Sequence, residues 1–194
     1  MDSAMSLNGW LTRACRMLLM LVLAGCGGPG RDLPPIPETE PGAYHLGPGD
    51  QIRIITLGED RLTGAFRVND SGAIALPLLG TVPAAGLTTA ELEQALSAAL
   101  VKAQLIVDPS VAVEVEAYRP IFVLGEVNKP GQYPYQSGMT VVTAVAVAGG
   151  FTYRAVEDRA GIVRSIEGKA IEGRAERQTY VQPGDVITIY ERRF

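Results

Sequence analysis

Residues 17–24 are uniformly apolar, follow Arg13 and Arg16, and end at Gly25-Cys26; the next stretch, Gly27 to Pro41, holds five prolines and no periodic apolar pattern. This boundary sets what the chain can fold into, because it separates residues that cannot build a core from the roughly 150 that can. As a helix, eight apolar residues rise only about 12 Å, against a hydrocarbon core of roughly 30 Å, so the run does not span a bilayer. A basic start, a short apolar stretch and small residues at its end are the layout of a secretory signal. The prolines that follow favour extended backbone, and a tether over residues 26–42 reaches at most roughly 50 Å at about 3.1 Å per residue. The chain therefore divides into a signal (1–25), a Pro-rich tether (26–42), a first folded module (43–118) and a second (119–194).

The whole chain has a formal net charge of −4. Loss of Arg13, Arg16 and Asp2 with the signal makes the remainder one unit more negative. Such mild acidity leaves no electrostatic footprint for nucleic acid or for anionic headgroups. Cys15 also leaves, so Cys26 is the single remaining thiol, and neither a disulfide framework nor a cysteine metal site is available. The chain contains one histidine, His45. No metal and no cofactor is expected.

The first module opens with Tyr44-His45-Leu46-Gly47-Pro48-Gly49-Asp50, a type II turn with glycine at the positive-φ position, leading into a strand marked by Ile52 and Ile54. Gln182-Pro183-Gly184-Asp185 repeats the device before Val186–Ile189 near the other end. Asn69-Asp70-Ser71-Gly72, flanked by Phe66–Val68 and Ala73–Gly80, is a hairpin signal. Thr88-Thr89-Ala90-Glu91 is a capping box, and the spacing of Leu92, Ala95, Leu96, Ala99 and Leu100 predicts a helix to about Lys102. Beyond Asp108-Pro109, valines at 111, 113 and 115 alternate with Ala112, Glu114 and Glu116, as in a strand with one dry face. In the second module Ile121–Leu124 is an apolar run, Lys129-Pro130-Gly131 a turn, Met139–Ala148 a short helix stopped by Gly149-Gly150, and 161–166 and 186–190 further strands. Strand, hairpin, helix and returning strand within about 75 residues define an α+β fold built on small mixed sheets.

Chemistry-bearing residues are sparse. Gly-x-Ser-x-Gly, His-Glu-x-x-His and phosphate-loop motifs are all absent from the sequence. Glu114 and Glu116 share a strand face and mimic a glycosidase pair, but a solvated strand face is the preferred reading. Asp50 and Asp185 are candidates for a cation, with capping of their own turns preferred. Tyr133, Tyr135, Phe151 and Tyr153 are candidates for stacking on sugar rings, with core or subunit contact preferred. No covalent chemistry is expected; the chain is read as a non-enzyme.

Two resemblances complete the reading. Leu23-Ala24-Gly25-Cys26 resembles the bacterial lipobox, which implies cleavage before Cys26 and lipid attachment at its thiol; the alternative is an ordinary secretory signal that happens to carry a cysteine. Gly27 occupies the position where, in well-studied bacteria, an aspartate retains lipoproteins at the inner membrane. The resemblance therefore implies the periplasmic face of the outer membrane. Tyr44–Asp50, Ile74–Gly80, Gly86-Leu87-Thr88 and Asp108-Pro109-Ser110-Val111 resemble the polysaccharide export domain. Gly125-Glu126-Val127, Pro130-Gly131 and Ala148-Gly149-Gly150-Phe151-Thr152 resemble the soluble-ligand-binding β-grasp (SLBB) domain. Over about residues 43–190 the chain is similar to Wza-like outer-membrane polysaccharide export lipoproteins. That resemblance implies a homo-oligomeric ring around a path for capsular polysaccharide or exopolysaccharide, with an inner-membrane polysaccharide copolymerase as partner. Long members add further β-grasp domains and a C-terminal transmembrane helix. After Ile189 no stretch of the required roughly 20 residues remains, so a short form without that helix is expected. Alternatives are a periplasmic carbohydrate-binding lipoprotein and a scaffold lipoprotein of the secretion machinery.

Overall fold

At the first Pro-Gly turn Gly49 takes φ +97, the Gly47 carbonyl accepts the Asp50 N–H at 3.1 Å, and β1 (Gln51–Thr56) leaves with every second residue buried. The structure, a computed structural model, describes residues 28–37, 44–166 and 168–192. The signal and Cys26 lie outside the described residues.

In the first module β1 pairs antiparallel with β2 (Gly64–Arg67) on one side and β5 (Val111–Ala117) on the other. Helix α1 (Thr89–Lys102) covers one face of this sheet and buries Leu92, Leu96 and Leu100. Its start is the expected capping box: Thr88 Oγ1 accepts the Glu91 N–H at 3.2 Å, and the Glu91 carboxylate accepts the Thr88 N–H at 2.8 Å. β5 is an edge strand, and Glu93 on α1 accepts the Val113 N–H at 2.8 Å, which occupies a donor that an open edge would expose.

One element differs from expectation. The Asn69–Gly72 turn forms, with Asn69 Oδ1 accepting from Ser71 and Ala73, but its flanking strands do not pair with each other. β2 joins β1, whereas β3 (Ala73–Leu76) pairs with β4 (Gly80–Pro83). The apolar run 73–80 thus hides the hairpin turn inside itself. Pro77 cannot donate to a ladder, and Leu78 (φ 66) and Gly80 (φ 77) reverse the chain there.

The second module is a five-stranded sheet in the order β7-β6-β10-β8-β9, formed by β6 (Ile121–Gly125), β7 (Gly131–Tyr133), β8 (Arg159–Ile166), β9 (Lys169–Glu176) and β10 (Val186–Ile189). First and last strands, β6 and β10, lie side by side in parallel; every other pairing is antiparallel. Helix α2 (Val141–Val147) packs Val141, Ala144 and Val145 against Ile121, Val123, Ile162 and Ile187, forming the module's core. Gly149 and Gly150, at φ +85 and +87, end α2 as expected. This is the β-grasp plan. Among the described residues no helix is long and apolar enough to cross a membrane, which says nothing of a β-barrel.

Candidate functional site

Both Pro-Gly-Asp turns end in a buried aspartate, and each aspartate finds an arginine distant in sequence. Asp50 Oδ2 accepts the Tyr44 hydroxyl at 2.5 Å and the Gly47 N–H at 2.7 Å, while Oδ1 accepts the Arg119 N–H at 2.9 Å. The Arg119 Nε stands 3.5 Å from the same carboxylate, and its guanidinium lies across the turn. A Cβ on Gly47 would meet that guanidinium at 2.6 Å, so a side chain there would push the arginine off the turn. Arg119 opens the second module, so this ion pair joins the two modules. Around it three rings stack edge to face: Tyr44 on Tyr118 at 4.9 Å, and Tyr118 on Tyr135 at 5.3 Å. Burial, then the neighbouring Asp50 carboxylate, push the Tyr44 hydroxyl far above the usual tyrosine range. Burial raises Tyr135 as well.

Asp185 follows the same local rule. Its Oδ2 accepts the N–H three residues back, from Gln182, at 2.8 Å. Arg164 grips it with Nε at 3.0 Å from Oδ1 and Nη2 at 2.7 Å from Oδ2, and both side chains are at most 2% exposed. A buried guanidinium is tolerable only when its donors are filled. Arg164 also donates to the carbonyls of Tyr180 at 2.9 Å and Pro37 at 3.2 Å.

That last bond reaches the tether, where the structure corrects the expectation of a free spacer. Residues 28–37 do not extend away from the folded part; they strap onto the second module. Pro35 bridges Arg174 in parallel, with the Ile36 N–H donating to the Arg174 carbonyl at 2.8 Å and the Arg174 N–H to Pro34 at 2.7 Å. The strap thus extends the sheet beyond β9, and Ile36 enters the core at 3% exposure. Prolines lack N–H groups but keep strong carbonyl acceptors. Three arginines use carbonyls of this segment: Arg159 donates to Pro29 at 2.9 Å, Arg174 to Arg31 at 3.1 Å, and Arg164 to Pro37. At Gly173 a Cβ would lie 2.8 Å from the Ile36 Cα, so glycine there admits the strap.

The other candidates resolve individually. His45 is exposed. Glu116 is held by Arg53 at 2.7 Å and Gln51 at 3.0 Å, and its bond to Arg53 lowers its pKa. Glu114 is exposed on the same strand face, as the solvated reading expects. Tyr133, Tyr135 and Phe151 pack against the second core, whereas Tyr153 is 86% exposed, so the four aromatic residues do not form one platform. Among the described residues no group of three His, Cys, Asp or Glu is arranged to hold a metal. Sequence reading placed Asp50 and Asp185 but missed Arg119, Arg164 and the strap arginines; the repeated turn was the one signal that both aspartates needed partners.

Fold and site define a two-module α+β protein whose export-type module is clamped to a β-grasp module. The family model described as "Polysaccharide biosynthesis/export protein" matches residues 38–116, and that of the SLBB domain matches residues 120–175. An export-type domain is thus followed directly by an SLBB domain. It is similar to the exopolysaccharide production protein ExoF of Rhizobium meliloti (strain 1021), 36% identical over 118 residues, covering 55% of this chain and 28% of the relative. The EPS I polysaccharide export outer membrane protein EpsA of Ralstonia nicotianae is 33% identical over 105 residues, covering 53% and 27%. The polysialic acid transport protein KpsD of Escherichia coli is 31% identical over 109 residues, covering 55% and 19%. The matched stretch spans less than a third of the length of each relative.

Proposed function

We propose that this chain is a lipid-anchored, periplasmic subunit of an outer-membrane exporter for exopolysaccharide or capsular polysaccharide. The observation that carries the reading is the matched export domain followed directly by a matched SLBB domain, in a chain similar to proteins named for polysaccharide export and transport. Residues 1–25 serve as the signal, 26–42 carry lipid at Cys26 and supply the strap, and 43–118 and 119–194 form the two domains. Identical subunits close into a ring around the glycan, each using two different complementary surfaces. An inner-membrane polysaccharide copolymerase is the partner on the far side, and the role is conduction without catalysis. The clamp at Asp50–Arg119 supports this reading, because a ring of two-domain subunits needs a fixed angle between the domains.

Electron micrographs of the acylated protein extracted from native membranes should show rings with a central opening. Monomers at high concentration would instead favour simple carbohydrate capture. A strain lacking the chain should lose surface polysaccharide, and unchanged secretion there overturns the export role. Cys26→Ala should abolish lipid attachment and leave the protein unprocessed or mislocalised; normal maturation would refute the lipobox.

A further inference from the structure

We infer that one end of the second module is a membrane-contacting surface, with the loop bearing Tyr153 seated on the headgroups of a zwitterionic lipid layer. The inference rests on acylation at Cys26 and adds to it which surface the anchor holds against the bilayer.

The strap sets the geometry. Gly28 sits against Arg159, where a Cβ would meet Nη2 at 3.0 Å, and Gly30 lies directly under the Tyr190 ring. Strand register locates this point. β8 begins at Arg159, opposite Glu176 at the end of β9, while β10 runs out through Ile189 beside Gly125, the end of β6. Gly28 therefore emerges where β6, β9 and β10 finish and β8 starts. The first module is attached at the opposite end: Arg119 lies two residues before β6, the Gly184 N–H donates to Pro120 at 3.1 Å, and Asp185 precedes β10. Cys26 is two residues before Gly28 in the sequence, and two residues of chain reach at most about 7 Å. An acyl chain there brings this end of the sheet to the bilayer and points the first module away from it.

The surface so presented is suited to headgroups. Residues 152–155 form a tight turn, closed by the Ala155 N–H to Thr152 at 3.2 Å. The turn is braced by the segment after β10: the Arg192 N–H donates to Arg154 at 2.8 Å, Arg192 Nε to Ala155 at 2.7 Å, and Ala155 bridges Glu191. A braced turn holds Tyr153 outward at 86% exposure. Tyrosine, an apolar ring with a polar tip, suits the boundary between acyl chains and water. The surrounding charges are opposite in sign and balanced: Arg154 pairs with Glu191, Arg159 with Asp158, Arg192 and Arg177 share Glu157, and the exposed Glu176 at the end of β9 supplies a fourth carboxylate. Alternating, compensated charge fits a zwitterionic surface and gives no net pull toward anionic lipid.

The test uses the acylated protein, in which the thioether consumes the Cys26 thiol, so that one introduced cysteine takes a fluorophore alone. Tyr153→Cys and Val107→Cys, the latter on an exposed loop of the first module, are labelled and reconstituted into phosphatidylcholine vesicles carrying headgroup nitroxide quenchers. Quenching at 153 should exceed that at 107 several-fold and should not rise when phosphatidylglycerol is added. Equal quenching at both positions, on protein that floats with the vesicles, overturns the proposed surface. Protein that neither floats nor blocks labelling at Cys26 overturns the anchor beneath it.

Discussion

Gly173→Ala isolates the strap, because it adds one methyl group where the tether backbone already lies. The new Cβ would stand 2.8 Å from the Ile36 Cα and 2.9 Å from its nitrogen, both main-chain atoms that cannot rotate aside. Relief comes by lifting residues 34–36 off β9, with the arginine bonds to Pro29, Arg31 and Pro37 on either side kept. What is lost is two backbone hydrogen bonds, at 2.8 and 2.7 Å, worth about 1 kcal/mol each, and the burial of Ile36, worth about 2 kcal/mol. Freed residues regain backbone entropy, which offsets part of that sum, though less than usual because Pro34 and Pro35 are already restricted. A net of about 2 kcal/mol makes the closed strap roughly thirtyfold favoured in the parent protein. Hydrogen exchange reads this directly. In Gly173→Ala the amides of Ile36 and Arg174 should lose about that factor of protection, while those pairing β8 with β10 stay slow. Ile36→Ala should give an intermediate loss. If both amides remain as protected in Gly173→Ala as in the parent, the packing argument is wrong.

Three further outcomes follow from the same geometry. Asp185→Ala leaves the buried Arg164 without its carboxylate and should cost about 3 kcal/mol or more in urea unfolding, whereas Arg164→Met combined with Asp185→Leu should cost clearly less; equal losses would refute a charge-burial origin. Gly125→Ala sets a Cβ 2.1 Å from the Ile189 carbonyl at φ +82, and should abolish the β6–β10 pairing, seen as loss of the second module's dispersed amide signals. Tyr44 has its folded-state pKa raised by burial and by Asp50, so its contribution is complete below the usual tyrosine pKa and declines as pH rises above about 10. The parent should lose stability in that alkaline range and Tyr44→Phe should lose less, and identical pH profiles would remove Tyr44 from the junction.

Motifs confined to a few neighbouring residues were legible in the chain. The capping box at Thr88–Glu91, the glycine stop after α2 and both Pro-Gly-Asp turns formed as read, because each depends on contacts within three or four residues. The turn inside 73–80 was masked by its own hydrophobicity, and β9, Lys169–Glu176, was missed because charged residues dilute its alternation. The arginines of the site were illegible for a related reason: Arg119 lies 69 residues from Asp50, and Arg164 lies 21 from Asp185. Nothing local to either arginine marks it as a partner rather than a solvated surface residue.

The sequence by itself determined the two Pro-Gly-Asp turns, the capped start of α1 and the glycine stop of α2, and that residues 27–41 lack the pattern to build a core of their own. Only the tertiary structure decided that part of this segment bridges onto the sheet's edge at β9, since that required Gly173 to leave room, Ile36 to find an apolar pocket and arginines from β8 and β9 to meet its carbonyls. A local pattern fixes backbone preference at the scale of one turn. Pairing across a hundred residues depends on which buried donors and acceptors would otherwise go unmet, and that is settled only when the sheet has closed.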